Sequence, residues 1–215
     1  MRKLFIAGAL LATVVAGACS DEPTGPTPPV YLVSNGTFET GDLTGWTDSA
    51  VTTVSGGVFA TGDTMTPMSA RPVPLPAEGA FWALFDQVTD NTTILYQDIA
   101  IPAGKTASFT ARIYLNNEYT DYVISPTTGL LTGGLVPNQQ FRIDVMDRAA
   151  DIDDVGAGVL QNLYQTMPGD PLNANVTVAA DLSAFAGDTV RLRFAVAVGE
   201  NFFQVGIDSV QVTGT

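Results

Sequence analysis

The chain has 215 residues, of which 46% are apolar and 14% charged, so its composition is that of a folded globular protein and not of a disordered one. Its net charge of −13 argues against binding to nucleic acid or to anionic lipid through charge, because both need clustered lysine and arginine. The chain contains no histidine, which excludes histidine-dependent catalytic triads and histidine-based metal sites.

The chain begins with a cationic start and an apolar run. Arg2 and Lys3 precede residues 4–16, an uncharged apolar stretch that is too short for a stable membrane-spanning helix but fits the h-region of a secretory signal. Small residues follow, in the order Ala-Gly-Ala, and end at Cys19, the only cysteine. We therefore predict a signal segment over residues 1–18, whose removal takes away two of the nine basic residues and lowers the net charge to −15.

The Ala-Gly-Ala-Cys step resembles the lipobox of bacterial lipoproteins, although Ala16 stands where leucine is commoner. The resemblance implies cleavage before Cys19, acylation of its sulfur and new amino terminus by palmitate or similar chains, and a lipid anchor in the cell envelope. Ser20 in the next position is, by the same resemblance, compatible with sorting to an outer membrane. The alternative is a secreted protein that is cleaved after Ala18 and carries a free Cys19.

A proline-rich tether is predicted between the anchor and the folded part. Residues 19–29 lack apolar periodicity and contain four prolines, so they favour a semi-extended linker of roughly 30 Å at about 3 Å per residue. The remaining residues, 30–215, are numerous enough for one domain with a sizeable hydrophobic core.

From residue 30 onward apolar and polar residues alternate with a period of two, which indicates half-buried strands. Turn signals rich in proline, glycine and aspartate separate the strands, and no window has a sustained helical stripe. The pattern predicts an all-β antiparallel β-sandwich or jelly roll. The predicted strands are residues 30–34, 45–54, 79–85, 93–99, 109–116, 141–146, 158–164, 175–181, 190–198 and 202–212.

Two segments carry a more specific signal. The first is Ser-Asn-Gly-Thr-Phe-Glu-Thr-Gly-Asp-Leu-Thr-Gly-Trp, residues 34–46, and the second is residues 181–194 together with Phe-Phe-Gln-Val-Gly-Ile-Asp-Ser-Val-Gln-Val, residues 202–212. They resemble the first and last strands of galactose-binding-like jelly rolls, which include bacterial carbohydrate-binding modules. The resemblance implies that these two strands are neighbours, and we expect Phe38 and Trp46 to lie in the core.

A calcium site is predicted where the first and last strands meet. Neighbouring strands would bring Glu39 and Asp208 together, and two partly buried carboxylates repel each other unless a proton or a cation compensates. Related modules hold a structural Ca²⁺ here, which implies Glu39 and Asp208 as side-chain ligands and Thr37 as a carbonyl donor. The alternative is that Glu39 caps a turn and that Asp208 accepts hydrogen bonds from backbone amides.

A second acidic motif begins at Asp151 but does not fit an EF-hand. The fifth position of the motif is Val155, and the twelfth is Asn162, where a bidentate glutamate is needed. We expect a solvated acidic loop.

The polar side of the central strands is the candidate ligand face. Sugar recognition needs a flat aromatic surface and planar polar groups, which these strands would supply through Arg112, Tyr114, Asn116, Arg142 and Asp144, extended by Trp82 and Tyr96 if they face outward. The alternative is a solvated outer sheet with cross-strand Arg–Asp pairs. A lesser candidate is the loop patch of Tyr119, Asp121 and Tyr122.

Together these features predict a lipid-anchored binding domain of the cell envelope, with a polysaccharide or other glycan as its partner. The alternative is an adhesion or assembly domain that contacts another surface protein and has no sugar site. A pair of carboxylates can hydrolyse a glycosidic bond, but 22 acidic residues produce many chance pairs, so we expect no enzyme.

Overall fold

The computed structural model describes residues 29–50, 56–88, 90–118, 129–130 and 138–215. The predictions for Cys19, for most of the tether and for the patch of Tyr119, Asp121 and Tyr122 lie outside these residues. The elements are β1 (Val30–Tyr31), β2 (Thr47–Ala50), β3 (Gly56–Thr61), β4 (Trp82–Gln87), β5 (Asn91–Ala100), β6 (Ala107–Asn117), β7 (Gln140–Asp147), β8 (Val159–Gln165), β9 (Asn173–Asp181), a short 3-10 turn (Ser183–Phe185), β10 (Thr189–Val198) and β11 (Phe203–Gly214).

Two antiparallel sheets pack face to face, so the predicted all-β sandwich is confirmed. The first sheet has the order β3-β4-β11-β6-β9, and β1 also pairs with β11. The second sheet has the order β2-β5-β10-β7-β8. In the described part of the chain, no helix has the length and apolar character needed to cross a bilayer.

Alternation along the strands sorts side chains between the core and the outer faces. On β6, Phe109, Ala111 and Ile113 are buried between the sheets, whereas Thr110 and Arg112 are exposed on the outer face. Because each large apolar side chain contributes about 1.5–3 kcal/mol on burial, a shift of one residue in register would place the apolar set in water.

The opening segment packs against the last strand, as predicted. Val30 of β1 pairs with Gly214, and the carbonyl of Gly36 accepts a hydrogen bond from the Val210 amide at 2.8 Å. A β-carbon on Gly36 would overlap the Val210 carbonyl oxygen, so only glycine permits this approach.

Phe38 and Trp46 of the opening segment lie in the core, which confirms their predicted burial. The rings of Phe38 and Trp46 are stacked with centroids 5.7 Å apart, and the Trp46 ring meets Phe194 edge-on at the same distance. The indole Nε1 of Trp46 donates to the carbonyl of Asn35 at 3.0 Å, which satisfies its only polar atom.

Two features of the first sheet are not predicted by the alternation pattern. Strand β3 begins with two glycines and pairs along its whole length with β4. Residues 62–81, which connect β3 to β4, fold back over the outer face of the same sheet, and we call them the cover segment.

Candidate functional site

Alternating prolines shape the part of the cover segment that forms the site. Pro72, Pro74 and Pro76 fix their own φ angles and restrict the preceding residues to extended conformations. Within this extended stretch Val73 is directed inward and is 6% exposed, whereas Leu75 is 65% exposed.

Three carboxylates fasten the cover segment to the sandwich through backbone amides. The first belongs to Asp86 on β4, which is completely buried. Its Oδ2 accepts hydrogen bonds from the amides of Met68 and Ser69 at 2.7 and 2.8 Å, and its Oδ1 accepts one from the Ser69 hydroxyl at 2.5 Å. Charge-assisted hydrogen bonds of this kind are about twice as strong as neutral ones, so Asp86 is a firm attachment point.

The other two carboxylates are those of the predicted calcium site. Glu39 Oε1 accepts hydrogen bonds from the amides of Ala80 and Phe81, both at 2.9 Å. Asp208 Oδ2 accepts one from the Glu78 amide at 2.8 Å, while its Oδ1 accepts one from the Ser209 amide at 2.6 Å. The two side chains therefore converge on the same end of the cover segment, although Glu39 lies near the beginning of the domain's sequence and Asp208 near its end.

The electrostatics of Asp208 reflect this convergence. Burial raises the pKa of its carboxyl above the ordinary value, and the charges of Glu78 and Glu39 add to the rise. The two amide hydrogen bonds act in the opposite direction.

The contacts of Glu39 and Asp208 are those of the alternative without a metal. Among the described residues no group of three or more histidine, cysteine, aspartate or glutamate side chains is arranged to hold a metal ion. Thr37 is exposed. Because Ca²⁺ takes six to eight oxygens, these residues meet only part of the requirement of a calcium centre, and calcium binding stays a prediction.

A central cavity of about 350 Å³ lies between the cover segment and the outer face of the first sheet. Its floor is the aromatic pair of Trp82 and Tyr114, whose ring centroids are 5.9 Å apart. Val73 and Leu84 pack on the same pair. Both rings are largely covered, with Trp82 2% and Tyr114 5% exposed, so they form the base of a pocket and not an open stacking platform.

Gly206 of β11 allows the floor to lie flat on the sheet. A β-carbon at this position would overlap the six-membered ring of Trp82. The residue is thus a packing requirement of the cavity floor.

The rim of the central cavity is polar and mostly exposed. Arg112 of β6 and Asn175 and Thr177 of β9 line it, opposite Leu75 and Ala77 of the cover segment. The Arg112 guanidinium donates one hydrogen bond, from Nη1 to the Ala77 carbonyl at 3.3 Å.

One polar atom of the floor has no partner. The indole Nε1 of Trp82 is buried and makes no hydrogen bond to any described residue. An unpaired buried donor costs about 1–3 kcal/mol.

The expectation of one shared ligand face on the central strands is wrong. Arg112, Tyr114 and Asn116 lie on β6 in the first sheet, whereas Arg142 and Asp144 lie on β7 in the second sheet. The alternation pattern identifies the outward residues of each strand but not the sheet to which the strand belongs, and the two outer faces point in opposite directions. Asn116 lies beyond the central cavity, where its amide donates to Gln204 Oε1 at 3.1 Å.

Arg142 and Asp144 form a buried ionic cluster with Arg193 of β10. Asp144 Oδ2 accepts hydrogen bonds from Arg142 Nε and from Arg193 Nη2, both at 2.6 Å. Arg193 Nη1 donates to the carbonyls of Ile152 at 2.5 Å and Asp154 at 2.7 Å. The side chains of this cluster are thus structural, and the exposed Arg–Asp pair of the predicted alternative is found instead between Arg191 and Asp98 at 2.8 Å.

The loop that contains Asp151 packs on this cluster. Asp154 accepts hydrogen bonds from the amides of Gly156 and Gly158, both at 2.7 Å, and the pKa of its carboxyl is lowered mainly by these bonds. Ile152 and Val155 contact the outer face of the second sheet. The loop is therefore half-buried, in contrast to the solvated loop expected from the sequence.

Sequence reasoning named Trp82 but missed the residues of the site that lie on β9 and in the cover segment. Asn175 and Thr177 alternate with core residues along β9, so their outward direction is predictable, but their position beside Arg112 depends on the pairing of β6 with β9. Leu75 and Ala77 belong to the cover segment, whose only sequence signal is the alternation of prolines. Tyr96 lies on the second sheet, where its ring centroid is 4.3 Å from the guanidinium carbon of Arg191. It does not line the central cavity.

Comparisons with known proteins support the fold. No protein-family model matches the sequence, and no curated protein matches it significantly. The K3 cleaved adhesin domain of Lys-gingipain from Porphyromonas gingivalis W83 is similar with a TM-score of 0.54 at 11% identity, over 86% of this chain and 99% of that domain.

Two further solved structures have related folds. The enzymatically active domain of tailspike protein 4 from bacteriophage CBA120 has a TM-score of 0.52 at 16% identity, and the match covers 86% of this chain but only 21% of the tailspike chain. TmCBM61, a carbohydrate-binding module in complex with β-1,4-galactotriose, has a TM-score of 0.48 at 13% identity, over 85% of this chain and 97% of that chain. At these identities the likenesses to the adhesin domain and to the tailspike domain show the fold alone.

Proposed function

We propose that the chain is a non-catalytic binding domain and that it takes an uncharged carbohydrate in the central cavity. The observation that carries the proposal is a cavity with an aromatic floor and a rim of amide, hydroxyl and guanidinium groups. A sugar ring offers apolar C–H faces to the floor and oxygen atoms to the donors. Ligand pockets combine an apolar lining with a few convergent polar groups in this way.

The lining of the cavity supports binding without chemistry. Glycosidases use two carboxyl groups about 5 to 9.5 Å apart. Asp208 is the only carboxylate among the described residues that line the cavity, and both of its oxygens accept amide hydrogen bonds.

The proposed location is the cell envelope. We propose that the chain is anchored through acyl groups on Cys19, in the outer membrane of a host that has two membranes, and that residues 19–29 hold the domain away from the lipid surface. This part of the proposal is supported by the lipobox resemblance and by the proline-rich composition of the tether.

The test of carbohydrate binding uses exposed residues of the rim. The purified protein is applied to an array of uncharged glycans, and the affinity for the best glycan is then measured by calorimetry for Asn175→Ala and Thr177→Ala. Because each change removes one or two hydrogen bonds of about 0.5–1.5 kcal/mol, we expect binding to weaken three- to tenfold, with a nearly unchanged melting temperature.

The matched control is Thr47→Ala, which removes an exposed strand hydroxyl from the second sheet. It should leave the affinity unchanged. Absence of binding to every glycan on the array would exclude the proposal, and so would equal effects of Thr177→Ala and Thr47→Ala.

A second candidate function is adhesion to, or assembly with, another surface protein. It is favoured by the exposed apolar side chains of the cover segment, among which Met65 and Met68 are each 48% exposed. Methionine adapts to irregular partner surfaces and is common at such interfaces. This candidate predicts capture of a surface protein that added sugars do not release and that Met68→Ser abolishes.

A further inference from the structure

The cavities on the outer face of the first sheet lie along one pair of strands. A cavity of about 370 Å³ is lined by Asn173 and Asn175, the central cavity by Asn175 and Thr177, and a third, of about 500 Å³, by Ala179 and Asp181. The facing strand β6 contributes to all three, through the register pairs Asn116–Asn173, Tyr114–Asn175, Arg112–Thr177, Thr110–Ala179 and Ser108–Asp181. We call this row of outward side chains the β6–β9 track.

The track is long enough for an extended ligand. Eight residues separate its two ends on β6, which corresponds to about 27 Å at roughly 3.4 Å per residue. The register of β6 with β9 runs without a bulge, so the side chains of the track keep a regular spacing. A single sugar ring would fill only the central part.

The borders of the track leave it open at one side. The cover segment flanks its first half through Pro74, Leu75 and Ala77, and the end of β11 flanks its second half through Thr213 and Thr215. On the other side β9 is the edge of the sheet and, among the described strands, pairs only with β6. A chain longer than the track can therefore enter and leave without threading.

The chemistry of the track indicates an uncharged ligand. Arg112 and Asp181 are its only charged members, and they have opposite signs. The other exposed members carry amide or hydroxyl groups or, at Ala179, a methyl group that leaves space above the strand. Amides and hydroxyls both donate and accept hydrogen bonds, as the hydroxyls of a sugar chain do.

We propose that the β6–β9 track binds an internal stretch of an uncharged polysaccharide, with one ring in the central cavity and the following units over Thr110 and Ala179. This inference rests on the proposed function and adds that the domain recognises an extended chain and not a terminal sugar. The units over the second half of the track meet hydroxyl groups from Ser108, Thr110 and Thr213.

The test measures affinity against chain length. Cello-, xylo-, manno- and galacto-oligosaccharides of two to six units are titrated into the purified protein by calorimetry. For the series that binds, we expect the affinity to rise at least tenfold between three and six units, because each added unit contacts a further part of the track.

Two variants locate the added contacts. Ala179→Gln fills the second half of the track and should lower hexasaccharide affinity at least tenfold while leaving trisaccharide affinity unchanged. Thr110→Ala removes one hydroxyl from the same half and should lower hexasaccharide affinity about threefold. Ala50→Gln, which enlarges an exposed alanine on the second sheet, is the matched control for bulk and should have no effect.

The outcomes separate this inference from the proposed function. Equal affinities for three and six units, or a hexasaccharide affinity that neither Ala179→Gln nor Thr110→Ala changes, would overturn the extended-chain inference while glycan binding stands. If no oligosaccharide of any length binds, both are overturned, and a protein strand at the open edge of β9 becomes the occupant to examine.

Discussion

Asp144 on β7 and Arg193 on β10 are cross-strand partners on the outer face of the second sheet, and both are completely buried. Their carboxylate and guanidinium groups meet at 2.6 Å, and Arg142 binds the same carboxylate from the other side. One carboxylate therefore compensates two guanidinium groups in a place that water does not reach.

Removal of the Asp144 charge should strongly destabilise the domain. We expect Asp144→Asn to lower the free energy of unfolding by about 3–5 kcal/mol, because it removes the carboxylate that binds both buried guanidinium groups and leaves Arg193 with only the more distant charge of Asp154. Chemical denaturation provides the measurement. The control is Asp98→Asn, which breaks a partly exposed pair with Arg191 and should cost less than about 1 kcal/mol. Similar costs for the two variants would show that the buried cluster does not carry this energy.

The close contact between Gly206 and Trp82 should also make the domain sensitive to substitution. Gly206→Ala places a methyl group into the ring of Trp82, so we expect a loss of about 1–3 kcal/mol in denaturation experiments and weaker glycan binding. Gly214→Ala is the matched control on the same strand, because its β-carbon would meet neighbours only at 3.8 Å or more. A tolerated Gly206→Ala would mean that the indole does not lie on β11 as described.

The raised pKa of Asp208 predicts the pH dependence of stability. A carboxyl whose pKa is raised on folding binds its proton more tightly in the native state. Its contribution to the free energy of unfolding is therefore complete below the ordinary pKa of 3.8 and is lost as the pH rises through the native pKa. We therefore expect the stability of Asp208→Asn relative to the native protein to increase as the pH rises from about 4. A constant loss of about 1–3 kcal/mol for one amide hydrogen bond is superimposed on this trend.

Asp42 supplies a control of opposite sign. Hydrogen bonds from Thr40 and Thr44 lower the pKa of its carboxyl. Its contribution to the free energy of unfolding is therefore present above the ordinary pKa and is lost as the pH falls. The stability of Asp42→Asn relative to the native protein should accordingly decrease as the pH rises. Parallel pH profiles for the two variants would contradict the assigned environment of Asp208.

Calcium binding at Glu39, Asp208 and Thr37 is tested by thermal melts. A cation would offset the repulsion that Asp208 experiences from Glu78 and Glu39, so we expect millimolar Ca²⁺ to raise the melting temperature and a chelator to lower it. The shift should disappear in Glu39→Gln, while Asp48→Asn on the second sheet should preserve it. Identical melting temperatures with calcium and with chelator would contradict calcium binding at this site.

Much of the fold is predictable from the sequence because a period of two identifies strands directly. The pattern of β6, β7 and β10 predicts which residues face the core, and the resemblance predicts that β1 and β11 are neighbours. The site is less predictable. The position of Asn175 beside Arg112 depends on the pairing of β6 with β9, and the partner of Asp144 is an arginine that the sequence presents only as one more outward residue.

The cover segment and β3 show a different limit. Residues 62–81 have no strand-like alternation of apolar and polar side chains, since their path is set by contacts with distant carboxylates and by Pro72, Pro74 and Pro76. Strand β3 opens with two glycines, which have low strand propensity, and its formation depends on pairing with β4.

The carboxylates of Glu39, Asp86 and Asp208 bind the cover segment almost entirely through hydrogen bonds from its backbone amides. Since every residue except proline carries the same amide, exposed side chains of the cover segment such as that of Leu75 are free to change while the attachment persists. Leu75 and Ala77, which form one wall of the central cavity, are therefore exchangeable parts. A few substitutions in the cover segment can therefore change the ligand preference of the cavity while the segment stays attached to the sandwich.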